Sequence, residues 1–194
     1  MSLSPTSMLG RFARDESGTV MAEAVIVLPM LLWSYLALFV YWDSFRSINI
    51  IQKAAYTVSD MISREMVTIS TTYVPGMRTM MQYLVNDTNT VRLRVSSVTY
   101  SLANRRFEVR WSRSPNNAMA ELTTTTLQAL TDCATPVRCR VPAMSDGDFV
   151  IIVEAEIDYK PAFSIGLGNQ VLRQFVVTRP RFVPRICLTG ATCG

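Results

Sequence analysis

Residues 24 to 42 read AVIVLPMLLWSYLALFVYW, 19 residues without a charge. No other stretch limits the fold so strongly. As a helix this run is about 28 Å long, close to the hydrocarbon thickness of a bilayer. Trp33, Tyr35, Tyr41 and Trp42 supply aromatic residues, the last two at one end, where a membrane–water interface favours them. Pro29 removes one backbone hydrogen bond, which membrane helices tolerate. A cleaved secretory signal fits poorly. Its apolar region spans about 7–15 residues and ends at small residues. This run is longer and ends in Tyr-Trp-Asp. Arg11 and Arg14 precede it, so the basic-residue rule places the N-terminus in the cytoplasm, although Arg46 and Lys53 on the far side oppose that orientation.

Composition removes whole classes of chemistry. The chain has 194 residues and no histidine, which excludes Ser-His-Asp and Cys-His catalysis and histidine-ligated metals. Half of the residues are hydrophobic and only 18% are charged, so disorder is a poor description. The net charge of +4 comes with 17 Arg and two Lys, none of them in a block that resembles a nucleic-acid arm. No catalytic residue, metal ligand set or cofactor is expected.

Cys133, Cys139, Cys187 and Cys193 form two C-x5-C pairs. Zinc ribbons and thioredoxin-like motifs use C-x-x-C instead. An even count outside the cytosol suggests two disulfides, and three connectivities exist. The local pairs, Cys133–Cys139 and Cys187–Cys193, are preferred because each closes a short loop. The crossed pairings are the alternatives.

The leader before the apolar run is short and polar and ends in Gly18. Thr19, Val20, Met21, Ala22 and Glu23 follow, and then the run begins. Counted from Thr19, Glu23 is fifth. The segment RFARDESGTVMAEAVIVLPMLL resembles the processing region of TadE/TadG-like pseudopilins of tight-adherence (Flp, type IVb) pilus systems. In that family an Arg/Asp/Glu-rich leader runs into R-G-x-x-A-V-E-F-A-L-V-x-P. Gly18, Glu23 and Pro29 occupy the matching places, while Ser17 and Ala24 depart from the pattern. The match covers about 20 residues.

The resemblance implies cleavage by an inner-membrane prepilin peptidase between Gly18 and Thr19. It also implies an assembly role for Glu23, which would pair with the new amine of a neighbouring subunit. The implied partners are the inner membrane, the peptidase, other pilins or pseudopilins and the pilus assembly platform. The role would be structural, in pilus biogenesis and adhesion.

Beyond the run, Ile48, Ile51, Ala55, Val58, Ile62 and Met66 follow helical spacing. One helix from about residue 19 to about 68 is expected. Its membrane part would span 19–43, and its continuation would enter a periplasmic domain, 44–194. Val74-Pro75-Gly76 reads as a breaker, with a short helix at 77–85. Val91, Leu93 and Val95 alternate with arginines, and the phase shifts across Ser96-Ser97, which hints at a bulge. Phe107, Val109 and Trp111 give a second strand, joined to the first by a hairpin near Asn104. Residues 117–131 read as a helix capped by Asn116 or Asn117, weakened by the β-branched run Thr123–Thr126.

After the Asp146-Gly147 turn, Phe149 to Tyr159 alternate as the cleanest strand. Its other face ends in Glu154, Glu156, Asp158 and Lys160, read as a solvated face opposite neighbouring arginines. Residues 163–168 form a loop mis-spaced for a phosphate cradle, and 171–179 a last strand. The expected fold is α+β and pilin-like, a long N-terminal helix packed on an antiparallel sheet. The competing functions are an uncleaved single-pass protein with a periplasmic binding or assembly domain and, more remotely, a tethered enzyme.

Overall fold

The structure is a computed structural model that describes residues 17–85, 91–131, 140–191 and 193. One helix, α1, runs from Ser17 to Ser63, 47 residues or about 70 Å. It is followed by α2 (Tyr73–Val85), β1 (Val91–Ser101), β2 (Arg106–Arg113), α3 (Thr124–Thr131), β3 (Phe149–Tyr159) and β4 (Gln170–Thr178). The strands form one antiparallel sheet in the order β2-β1-β3-β4. The fold is thus α+β, as the sequence predicts. The chain divides into two compact units. One comprises the described residues up to Asp43 together with the loop Pro161–Gly168. The other comprises Ser44–Lys160 with Asn169–Gly194.

In the second unit the helical stripe is the core. Ile51, Ala54, Ala55, Val58 and Ile62 are buried on one side of α1. They join one sheet face built from Val91, Leu93, Val95, Trp111, Ile151, Val153, Ala155 and Ile157. A second, smaller cluster covers part of the other face, where Val98, Val150 and Ile152 meet Leu122, Leu127 and Val141. The switch of apolar phase in β1 is not a bulge in β1, which pairs with β3 in unbroken register: Val95 and Val98, three residues apart, face opposite sides and enter the first and the second cluster. The register break lies in β2, where Arg110 is the extra residue between Val109, opposite Val98, and Trp111, opposite Ser97.

Three sequence expectations shift. Helix α1 stops at Ser63 rather than about 68, and Met66 is exposed. The Ser63 hydroxyl donates to the Asp60 carbonyl, and the Arg64 and Glu65 amides close short turns on Met61 and Ile62. Val67, Thr68 and Ile69 are β-branched, and Ile69 instead bridges to Leu188. Val74-Pro75-Gly76 is not the breaker: it lies in the first turn of α2. Proline is tolerated there because first-turn amides have no intrahelical partner.

The third shift concerns residues 117–131, where the helix begins only at Thr124. Asn116 and Asn117 adopt left-handed φ values of 56° and 52° within a single 3-10 turn, Pro115–Asn117. The cap is Thr123. Its hydroxyl accepts from the Thr126 amide, and the Thr126 hydroxyl accepts from the Thr123 amide, a reciprocal box. The threonine run that weakens a helix interior therefore starts one.

The C-terminal segment is tied back to this unit. The Arg181 amide donates to the Ser63 carbonyl, the Ile69 amide to Cys187, and the buried Trp111 indole to Ile186, each at 2.9 Å. Cys187 and Cys193 are disulfide-bonded, with Cα atoms 5.3 Å apart. The other expected pair, Cys133 and Cys139, lies outside the described residues.

Candidate functional site

The residues of the expected processing site share the first turns of α1. Gly18 and Glu23 are both exposed. A Cβ added at Gly18 would meet nothing within 4 Å among the described residues, and Gly18 is not in the left-handed region, so neither feature there calls for glycine. Thr19 and Glu23 are four residues apart in a helix, which places them on one face about 6 Å apart along the axis. Glu23 has no ion-pair partner among the described residues.

From Val20 to Trp42 the helix exposes apolar side chains on every side: Val25 72%, Met30 68%, Leu38 66% and Trp33 63% exposed. A helix apolar all round is a helix for a core or a bilayer. By length and composition it can cross a membrane. Val25, Ile26 and Val27 are poor helix formers in water, but lipid offers backbone groups no other partner, so the helix is enforced there. Pro29 leaves the Val25 carbonyl without its intrahelical donor.

A second candidate lies on the sheet face that carries the smaller cluster. Register brings Arg92 opposite Glu156 and Arg94 opposite Glu154. Arg92 donates to both Asp158 oxygens at 2.9 and 2.7 Å and to Glu156 at 3.2 Å. Arg94 meets Glu154 at 2.6 Å, and Arg173 of β4 meets Glu156 at 3.0 Å. The Arg92 hydrogen bonds hold the Asp158 carboxyl below its ordinary range, and the same contacts raise Arg92.

The three carboxylates are thus neutralised by cations rather than free to hold a metal. Among the described residues no group of three His, Cys, Asp or Glu is arranged to bind one. The solvated face expected from sequence is half-buried instead, with Arg94 and Glu154 side chains each 14% exposed. Beside it opens a cleft of about 450 Å³ lined by Arg94, Arg140, Glu154, Glu156, Arg173 and Phe175. Arg140 lies over the Phe175 ring at 5.8 Å. This cleft was not legible from spacing, because Arg94, Arg140 and Arg173 meet only through strand order.

No protein-family model matches the chain, and no curated protein or solved structure matches it either.

Proposed function

We propose that this chain is a minor pseudopilin of a tight-adherence pilus, held by residues 24–42 in a bacterial inner membrane with its N-terminus cytoplasmic and its C-terminal domain periplasmic. A prepilin peptidase removes residues 1–18, and the remaining chain joins or primes the filament with other pilins and the assembly platform. The observation that carries this reading is the spacing of Gly18 and Glu23 immediately before an uncharged run on one unbroken helix. The glycine supports it further, since among the described residues an added Cβ at that position would meet nothing within 4 Å.

A carboxylate at a membrane edge is costly, up to about 3 kcal/mol at mid-depth and less near the surface. Cleavage creates an ammonium group on Thr19 that offsets this cost by pairing with Glu23. The Arg-lined cleft favours one alternative, an uncleaved single-pass protein whose periplasmic domain binds or assembles a partner. Residues 17–24 separate the two.

Co-expression with an active prepilin peptidase, read by intact mass and N-terminal sequencing, tests the proposal. The expected product begins at Thr19, and Gly18→Leu abolishes its formation. An unchanged N-terminus beside a processed control pilin supports the uncleaved alternative.

A further inference from the structure

The loop that joins β3 to β4 belongs to the same compact unit as the apolar half of α1. Its sequence, Pro161–Gly168, is PAFSIGLG, eight residues without a charge. The Phe163 ring lies 6.4 Å from Phe39, edge to face, and Phe39 lies 6.4 Å from Trp42. Gly166, at φ +76°, passes the Tyr41 hydroxyl so closely that an added Cβ would sit 3.4 Å from it. Phe163 remains 46% exposed, and Ile165 and Leu167 are half-buried.

Phe39, Tyr41 and Trp42 are the last turn of the 19-residue run. A chain segment packed on them shares their depth. If the run crosses a bilayer, that depth is the boundary between acyl chains and headgroups. Aromatic side chains favour this layer, and irregular backbone is tolerated there because water and headgroups reach it. We propose that Pro161–Gly168 is an interfacial membrane-binding element that inserts Phe163, with Ile165 and Leu167, into the headgroup layer of the bilayer that holds α1. Its ligand is the phospholipid surface, so the chain touches the membrane through two segments far apart in sequence. This inference rests on the membrane-spanning reading of residues 24–42.

The test uses the full chain, reconstituted in vesicles of phosphatidylethanolamine and phosphatidylglycerol. A small fraction of the phospholipid carries a photoactivatable diazirine near the glycerol end of one acyl chain. After illumination, adducts are mapped by mass spectrometry. The expected result is labelling of both 24–42 and 161–168. Phe163→Asp should lower the loop's adducts about fivefold or more while leaving those on 24–42 unchanged. Labelled 24–42 beside an unlabelled 161–168 overturns the proposal and spares the membrane span. Cross-links from 161–168 to a second copy of the chain, in place of lipid adducts, overturn it in favour of a subunit contact. Absence of label on 24–42 removes the membrane-spanning reading and this proposal with it.

Discussion

Helix α1 contains two halves that obey different rules. From Val20 to Trp42 nearly every large side chain is exposed, with Val40 the buried exception. From Ser44 to Ser63 the burial is one-sided, with Ile51, Ala54, Ala55, Val58, Ser59 and Ile62 in a single stripe and Gln52, Lys53, Tyr56 and Thr57 exposed. The first half has no polar face to give to water. The second has one, and turns the other to a sheet. The same backbone geometry therefore carries two kinds of surface, and only side-chain pattern tells them apart. The charge-free run ends at Asp43, which is also where the two compact units divide the helix.

The harshest way to break this comparison is to put one charge into each half. Val58 is fully buried, and Val58→Asp leaves an unpaired carboxylate in the core. The expected cost is about 4 kcal/mol or more, enough to unfold the domain. In detergent, full-length Val58→Asp should lose its cooperative melt and protease resistance. Leu28→Asp, at a position 56% exposed, should melt like wild type in the same detergent but fail to insert into membranes. If both variants melted alike, the two halves would not differ as described.

The part of this division that was legible in the sequence is the part written in local periodicity. The stripe from Ile48 to Ile62, the alternation of β3 and the phase shift at Ser96-Ser97 each follow from residues within a few positions of one another. The misread segments depended on distant partners. Helix α1 ends where Ile69 finds Leu188 and Ser63 finds Arg181. Pro75 looked like an end and is part of a beginning, because the missing amide is harmless only in a first turn. Thr123 and Thr126 cap each other, which propensity alone counts against a helix. The second cluster and the Arg-lined cleft require the strand order, and no spacing rule supplies that. Gly18, Thr19 and Glu23 could be singled out from sequence because the pattern is local, and the loop Pro161–Gly168 could not, because Phe163 meets Phe39 across 124 residues.

A smaller effect sharpens the folded half. The Cys187–Cys193 bridge closes a loop beside the Ile69–Leu188 contact. Replacing both cysteines with serine should lower stability by about 2–3 kcal/mol, read as a drop in melting temperature. Dithiothreitol should shift the wild-type melt in the same direction. An unchanged melt would mean that the hydrogen bonds of the C-terminal segment and its buried Ile186 and Leu188 hold it without the cross-link. Neither treatment should alter the membrane insertion of residues 24–42.

Smaller still is the contribution of the ionic ladder. Arg92 depresses the Asp158 pKa below its ordinary value of 3.8. A depressed carboxylate stabilises the fold fully above its unfolded pKa and loses that contribution as pH falls through the folded value. The gain of wild type over Asp158→Asn should therefore be present at pH 7 and shrink below about pH 4. Asp158 is 39% exposed, so solvent screens the pair and about 1 kcal/mol is the upper bound at neutral pH. Thermal melts of both proteins at the two pH values decide it. A gap that widens in acid would show that the carboxylate is strained rather than stabilised by Arg92.

The smallest expected effect on stability is the one that tests the proposed assembly role. Glu23 is exposed and makes no ion pair among the described residues, so its charge is not expected to support the core of the folded domain. Glu23→Gln keeps the side chain's size and its helix propensity and removes only the charge. The melt of the domain should not move. Processing between Gly18 and Thr19 should also survive, since the glutamate lies beyond the cleaved bond. What should fall is assembly. Once Thr19 carries a free amine, a carboxylate in or near lipid can neutralise it, and that attraction is stronger at low dielectric than in water. Glutamine offers a hydrogen bond and no charge. Within one chain Thr19 and Glu23 are also one helical turn apart, so the amine has two possible carboxylates, its own and a neighbour's. Mixed expression separates them. If the pair forms between subunits, Glu23→Gln chains should still enter filaments beside wild-type chains, through their own amines, and fail when expressed alone. If wild-type and Glu23→Gln chains assemble equally well alone, the glutamate is a headgroup-level residue with no part in subunit entry.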